Sequence, residues 1–308
     1  MACLAPFRVR VPASTSNLGP GFDTYSAALS LFLEIEVHHS DADRHEWRGD
    51  WPLGDRNIFA EALVTAAARL GVKLPACRFI SSNSIPLQRG LGSSAAAITA
   101  ALVSLSRVAQ VPLDDNLFFE LALPFEGHPD NLAAAWKGGW VLCWSHEGSA
   151  RTETLPIETD LLFVVAIPEL KISTARAREV LPEVYSKEDL IHTIQRSTLL
   201  LHALYGNRKE LLAPALEDRI HQPFREVLIP GCREILRLEG LPRAAAPHHL
   251  GVYLSGSGST ICSLTDEPSA APEIGSWMVS QFAKAGLAAE FHILEVSPQG
   301  AKVLDILE

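Results

Sequence analysis

Pro86-Leu87-Gln88-Arg89-Gly90-Leu91-Gly92-Ser93-Ser94-Ala95-Ala96-Ala97 is the stretch on which the fold turns. A strand-like run, Cys77 to Ile85, leads into it, and a helix of small residues follows from Ala95 to Arg107. Without Cβ atoms, Gly90 and Gly92 let the main chain turn sharply and approach a ligand closely. Ser93 and Ser94 open the helix. Its first N–H groups have no partner within it and lie at the positive end of its dipole, so an anion fits there. A serine hydroxyl can cap the helix or reach a phosphate-bound metal. The stretch reads as a phosphate cradle made of main-chain amides. It is not a Walker A loop, because no lysine follows Gly92, and it does not satisfy G-x-G-x-x-G. The plain alternative is a glycine turn before a buried alanine-rich helix, and the rest of the chain decides between them.

The chain has 308 residues, 47% of them hydrophobic and 20% charged, which suits one large domain or two sharing an interface and excludes a disordered chain. Its formal net charge is −10. A binder of nucleic acid or of an anionic membrane needs a basic face, so neither partner is expected. Any polyphosphate must be met locally, by helix ends, a few arginines and a metal. Five scattered cysteines (Cys3, Cys77, Cys143, Cys232, Cys262) form no C-x-x-C pair and read as reduced thiols in a cytoplasm. Arg8 and Arg10 stand where a signal peptide needs its apolar core. Gly90 to Ser106 is uncharged but short and rich in small residues, which suits a buried helix better than a membrane span.

In chain order, Phe7 to Pro12 reads as a strand. A polar glycine-rich loop, Ala13 to Asp23, follows and carries Asn17 and Asp23. Leu31 to Val37 alternates as a half-exposed strand. Residues 38–56 read as loop-rich, with His38, His39 and His45 as surface histidines. Asn57 to Leu70 is helical. Asp114 to Leu123 is a short helix with an aspartate cap, bearing Glu120. A tight segment, Pro124 to Asn131, leads into a helix started by Pro129 and ended at Gly138-Gly139. Trp140 to Trp144 is a strand, and polar residues 145–158 hold a domain boundary. Beyond it, Leu161 to Ile167, Gly251 to Leu264 (with a turn at Ser255-Gly256-Ser257-Gly258) and Ala289 to Val296 supply strands. Thr174 to Leu181, Ser186 to Tyr205 and Pro272 to Ala285 supply helices. The expected domains are residues 1–155 and 156–308, in an α+β arrangement.

Three glycine-bearing segments, Pro12 to Asp23, Pro86 to Ala97 and Leu254 to Leu264, together resemble the GHMP kinase superfamily. Pro86 to Ala97 is similar to its ATP loop. Val11-Pro12-Ala13, Asn17 to Asp23, Glu126-Gly127-His128-Pro129-Asp130-Asn131, Ala177-Arg178 with Leu181-Pro182, Ile194-Gln195-Arg196 and Asp218 to Arg225 resemble the homoserine kinase branch. Ser26 and Ser259 depart from it, standing where glycine and proline are usual. The resemblance implies an N-terminal domain like domain 2 of ribosomal protein S5 and a ferredoxin-like C-terminal domain. It also implies ATP-dependent phosphorylation of the side-chain hydroxyl of L-homoserine, the committed step toward threonine.

On that reading Pro86, Leu87, Gln88, Arg89, Gly90, Leu91, Gly92, Ser93, Ser94, Ala95 and Ala96 bind ATP, joined by Gly256, Ser257 and Gly258. Glu120 and Ser94 hold Mg²⁺, a hard cation that prefers oxygen ligands. Arg178 and Arg225, with Arg176 in reserve, suit the substrate carboxylate, and Asp23 its ammonium. Asn17 and His128 orient the hydroxyl or amine, and Asn131 lies near the γ-phosphate. No lysine stands in Pro12 to Asp23 to activate a base, so direct attack by the hydroxyl is expected. Two rivals remain open: another small-alcohol kinase of the superfamily, acting on threonine for example, and a non-catalytic ATP-dependent sensor. The oligomeric state, a homodimer included, is also open.

Overall fold

The computed structural model describes residues 5–40, 45–49 and 57–306. Cys3 and parts of the 38–56 stretch lie outside the described residues. The first sheet is built on a long antiparallel pair, β1 (Phe7–Ser16) and β2 (Tyr25–His39), which runs from Phe7 opposite Val37 to Ser16 opposite Ser26 with a register shift between Pro12 and Ala13. Val9, Val11, Ile35 and Val37 repeat at period two and are fully buried. The sheet is extended by β3 (Glu46–Gly49), β4 (Cys77–Asn83), β5 (Trp140–His146), β6 (Ser149–Leu155) and a strand from the far end of the chain, Lys302–Asp305. Three of these were not expected. Residues 46–49 pair with β4 where a loop was read, and residues 149–155 form a hairpin with β5. Residues 302–305 return to pair with β1, so a cut at 155/156 does not leave the C-terminal portion as one separate body.

Among the described residues, four helices complete this half: α1 (Ile58–Arg69), α2 (Ser93–Ala109), α3 (Asp115–Glu126) and α4 (Asp130–Lys137). Both α1 and α3 begin at side-chain caps: Asn57 accepts from the N–H of Ala60, and Asp114, the aspartate cap expected from the sequence, from that of Leu117. α2 is buried almost all round, from Ala95 to Leu105, which explains its lack of charge. Its alanines let α1, α4 and β1 pack closely against it.

The second sheet has the order β10 (Ala289–Leu294), β7 (Leu162–Pro168), β9 (Ile261–Thr265), β8 (Gly251–Leu254), all antiparallel. Counted along the chain this is the order fourth, first, third, second, the ferredoxin-like pattern. Period two divides its side chains between two cores. Val164, Ala166, Leu254 and Ile261 face α10 (Ala271–Lys284) and α9 (Cys232–Leu236), whereas Phe163, Val165, Tyr253 and Cys262 join the larger core of the first half. The chain between β7 and β8 carries α5 (Thr174–Glu179), the long α6 (Lys187–Tyr205), α7 (Leu212–Ala215) and α8 (Gln222–Arg225). Of these, α5 and α8 reach the site. No helix among the described residues is long and apolar enough to cross a membrane.

Candidate active site

A cleft of about 280 Å³ opens where the two sheets meet, and most of the predicted residues line it. At one end lies the mouth of α2. Gly92 caps the helix at φ 68° and no side chain bonds to its first amides. The two glycines of the loop are sterically required. A Cβ on Gly92 would lie 1.9 Å from Oγ of Ser14, and one on Gly90 would lie 2.3 Å from the carbonyl oxygen of Ser255. Gln88, Gly90, Gly92, Ser93, Ser94, Ala95, Gly256 and Ser257 line the cleft. Pro86, Leu87, Arg89, Leu91, Ala96 and Gly258 do not. Leu91 and Ala96 are core residues, and the Arg89 guanidinium donates to the carbonyl of Pro168. These shape the loop and do not face into the cleft.

Glu120 is a correction. Its carboxylate is on the outer surface of α3, 63% exposed and 3.1 Å from Arg69 Nη2, and it does not line the cleft. The acid at the α2 mouth is Glu126, six residues on. Its side chain is only 12% exposed and lines the cleft together with Ser94. Burial raises the Glu126 pKa, and the opposing pull of Ser94 and His128 does not cancel it. The sequence held the signal for Glu126, within Glu126-Gly127-His128, but α3 was expected to stop before Pro124.

The other end of the cleft is built from charged side chains. Asp23, in a loop where Asn17 and Asp23 both take left-handed φ (72° and 55°), receives Arg178 Nη2 at 2.7 and 2.9 Å on its two oxygens. The expected carboxylate and ammonium anchors thus meet each other. Arg225 is 2% exposed: Nε donates to Ala177 O and Nη1 to Gly256 O, both at 3.0 Å. Burial, then the nearby Arg178, pulls its pKa down to about 10, which leaves it cationic at neutral pH. Arg176 instead pairs with Glu179 on the exposed face of α5.

Asn17 donates from Nδ2 to Gly256 O at 2.9 Å and accepts the Asp23 N–H at 3.1 Å. It is therefore engaged in holding its own loop. Asn131 accepts from Ser14 Oγ (2.8 Å) and donates to Ser16 Oγ (3.0 Å). His128 Nδ1 lies 2.7 Å from Asp130 Oδ1, while its buried Nε2 has no hydrogen-bond partner. Burial alone would lower the His128 pKa, but Asp130, Glu126 and Asp23 outweigh it and the value is raised.

Asp130 is a residue that sequence reasoning left without a role. Burial would raise its pKa, yet His128, the Asn131 N–H and the Ser16 hydroxyl together lower it. Ser26, which stands where the resemblance leads one to expect glycine, is buried and donates to the Asp130 carbonyl at 2.7 Å, so it supports the start of α4.

A glycine loop delivering a bare helix mouth to a cleft between an S5-like and a ferredoxin-like half defines a GHMP kinase. Residues 57–139 match the family description "GHMP kinases N terminal domain". The fold is also that of a mevalonate kinase from L. major (TM-score 0.70, 16% identity, 97% of this chain covered). Closer relatives narrow the class. A homoserine kinase of Persephonella marina is 40% identical over 98% of this chain and 99% of its own. One of Aquifex aeolicus is 35% identical over 96% and 99%. The crystal structure of a homoserine kinase from Cytophaga hutchinsonii superposes with a TM-score of 0.83 at 26% identity, covering 97% of this chain and 98% of that one. This chain belongs to the homoserine kinase family.

Proposed function

We propose that the protein transfers the γ-phosphoryl group of ATP to the side-chain hydroxyl of L-homoserine, giving O-phospho-L-homoserine for threonine biosynthesis, in the cytoplasm. The observation that carries this reading is the presence, in one cleft, of an uncapped helix mouth and a buried arginine beside an acidic loop residue. The first suits a triphosphate. The second suits a small zwitterion, its carboxylate on Arg225 and Arg178 and its ammonium on Asp23. Because Asp23 and Arg178 already pair, substrate enters by exchanging one ion pair for two.

Glu126 and Ser94 would hold Mg²⁺. A largely buried carboxylate with a raised pKa, lining the cleft beside a serine hydroxyl at the phosphate end, is a donor set a hard cation would complete. When bound, the ion supplies neutralisation of phosphate charge. The chain's own groups do the positioning. Main-chain amides of Ser93, Ser94 and Ala95 grip the phosphates, and Asn131 with Ser14 and Ser16 shapes the floor beneath them.

The substrate hydroxyl attacks phosphorus as the bond to ADP breaks, and its proton passes to a phosphoryl oxygen. Asp130 is a poor base, since its carboxylate already faces His128, the Asn131 N–H and Ser16, and its pKa is lowered. A loose transition state asks for little prior deprotonation. The test is ADP release, coupled to a dehydrogenase readout, with homoserine, threonine or mevalonate as acceptor. Homoserine- and Mg²⁺-dependent release is expected. Release with threonine alone, or none with any acceptor, would overturn the reading.

A further inference from the structure

His221 takes no part in the chemistry above, yet it is fully buried between the two halves of the homoserine wall. Nε2 lies 2.7 Å from the carbonyl oxygen of Gly19, and Nδ1 lies 3.4 Å from Nη1 of Arg225. A carbonyl only accepts and a guanidinium only donates. The ring must therefore hold its proton on Nε2 and offer a lone pair at Nδ1. It also stacks on Phe22, with centroids 5.3 Å apart and planes 24° apart. The same Phe22 ring lies 5.0 Å from the guanidinium carbon of Arg225 and 5.2 Å from that of Arg178. Gly19 and Phe22 belong to the loop that presents Asn17 and Asp23, whereas Arg225 closes α8.

We propose that His221 is a positioning residue for the amino-acid substrate: as the neutral Nε2–H tautomer it ties the Asn17–Asp23 loop to Arg225, and so fixes the spacing between the ammonium and carboxylate anchors. This rests on the homoserine kinase reading. The charged groups facing the ring are Asp218, with Oδ2 at 3.6 Å from Nε2, then Arg225 and Asp23. Asp218 is occupied by the N–H groups of Ile220, His221 and Gln222. Burial dominates and lowers the His221 pKa, so the neutral form is the one present near neutrality. None of its contacts touches the glycine loop or the mouth of α2.

Three variants separate the two bonds. His221→Gln keeps a donor that can reach Gly19 and loses the acceptor for Arg225. His221→Asn keeps an acceptor near the Nδ1 position and loses the tie to Gly19. His221→Phe keeps the stack and loses both. Removing one partner of a buried hydrogen bond predicts a rise in homoserine KM of about tenfold for Gln or Asn, and about a hundredfold for Phe. KM for ATP should stay within about twofold, and kcat should move less than the homoserine KM.

A merely structural role would lower thermal stability and the active fraction, scaling kcat and leaving both KM values alone. The proposal is overturned if a variant with native circular dichroism keeps its homoserine KM within twofold of wild type, or if both KM values rise together. Should the Phe variant fail to fold, the Gln and Asn variants carry the same test. Wild-type protein releasing no ADP with homoserine would instead overturn the functional reading, and this inference with it.

Discussion

The two ends of the cleft are made of different material. The end proposed for phosphate is main chain: a glycine loop and a helix mouth with no side-chain cap, joined by one largely buried acid among the described residues, Glu126. The end proposed for the substrate is side chain: Asp23, His128, Asp130, Arg178 and Arg225, drawn from four separated segments, with Asp23 paired to Arg178, His128 to Asp130, and Arg225 held by the carbonyls of Ala177 and Gly256. Main-chain amides are fixed by the fold, so one short sequence specifies them. Charged side chains must be brought together and held, so their arrangement depends on partners far along the chain. The phosphate end should therefore fail through backbone geometry, and the substrate end through the loss of single charges.

The largest expected break is Arg225→Ala. It strands Gly256 O and Ala177 O and removes a buried cation, so homoserine binding should weaken by about 2–5 kcal/mol, with ATP affinity unchanged by calorimetry. Arg178→Ala should cost less, because its side chain is 38% exposed. Equal loss of ATP binding would mean that the ends are not separable.

Glu126→Gln comes next. It should lower kcat about a hundredfold at fixed Mg²⁺, whereas Glu120→Gln should change it less than about twofold. Since burial raises the Glu126 pKa, the Mg²⁺ concentration giving half-maximal rate should climb as pH falls, starting at a higher pH than an ordinary glutamate would impose.

Gly92→Ala is the matching test at the phosphate end. Its Cβ cannot coexist with Ser14 Oγ, so the fold should lose about 1–3 kcal/mol by denaturant titration, and ATP should bind more weakly while homoserine binding persists.

The smallest effect concerns the His128–Asp130 pair. The raised histidine stabilises fully below its unfolded value of 6.5, and that contribution is lost as pH rises through its folded value. The lowered aspartate stabilises above its unfolded value of 3.8, lost as pH falls through its folded value. The difference in Tm between wild type and His128→Gln, a few degrees, should thus be greatest between about pH 4 and 6.5 and shrink above it. A difference that grows toward pH 9 would contradict the ion pair.

What the sequence disclosed follows the same division. The α2 mouth, the cap at Asp114 and the start of α4 at Pro129 are local signals, and each stands where its residues place it. Glu120, expected at the phosphate end, lies outside the cleft for a physical reason. Pro124 has no N–H for the Glu120 carbonyl four residues back, so α3 was expected to end there. In the fold Arg69 supplies the missing donor: Nη1 bonds the Glu120 carbonyl and Nη2 its carboxylate, both at 3.1 Å. The helix therefore runs on to Glu126, and six residues, about 240° around the axis, separate the surface acid from the one in the cleft. The strand at 302–305 was illegible because it is short, exposed and paired only with a strand at the opposite end of the chain. The mutual engagement of Asp23 with Arg178, and of His221 with Gly19, joins residues too distant for any local pattern to show.

The most direct measurement is a crystal structure with homoserine, Mg²⁺ and a non-hydrolysable ATP analogue. Phosphate oxygens should lie about 3 Å from the amide nitrogens of Ser93, Ser94 and Ala95, with the metal on Glu126. Phosphates bound elsewhere, with those amides facing solvent, would contradict the account.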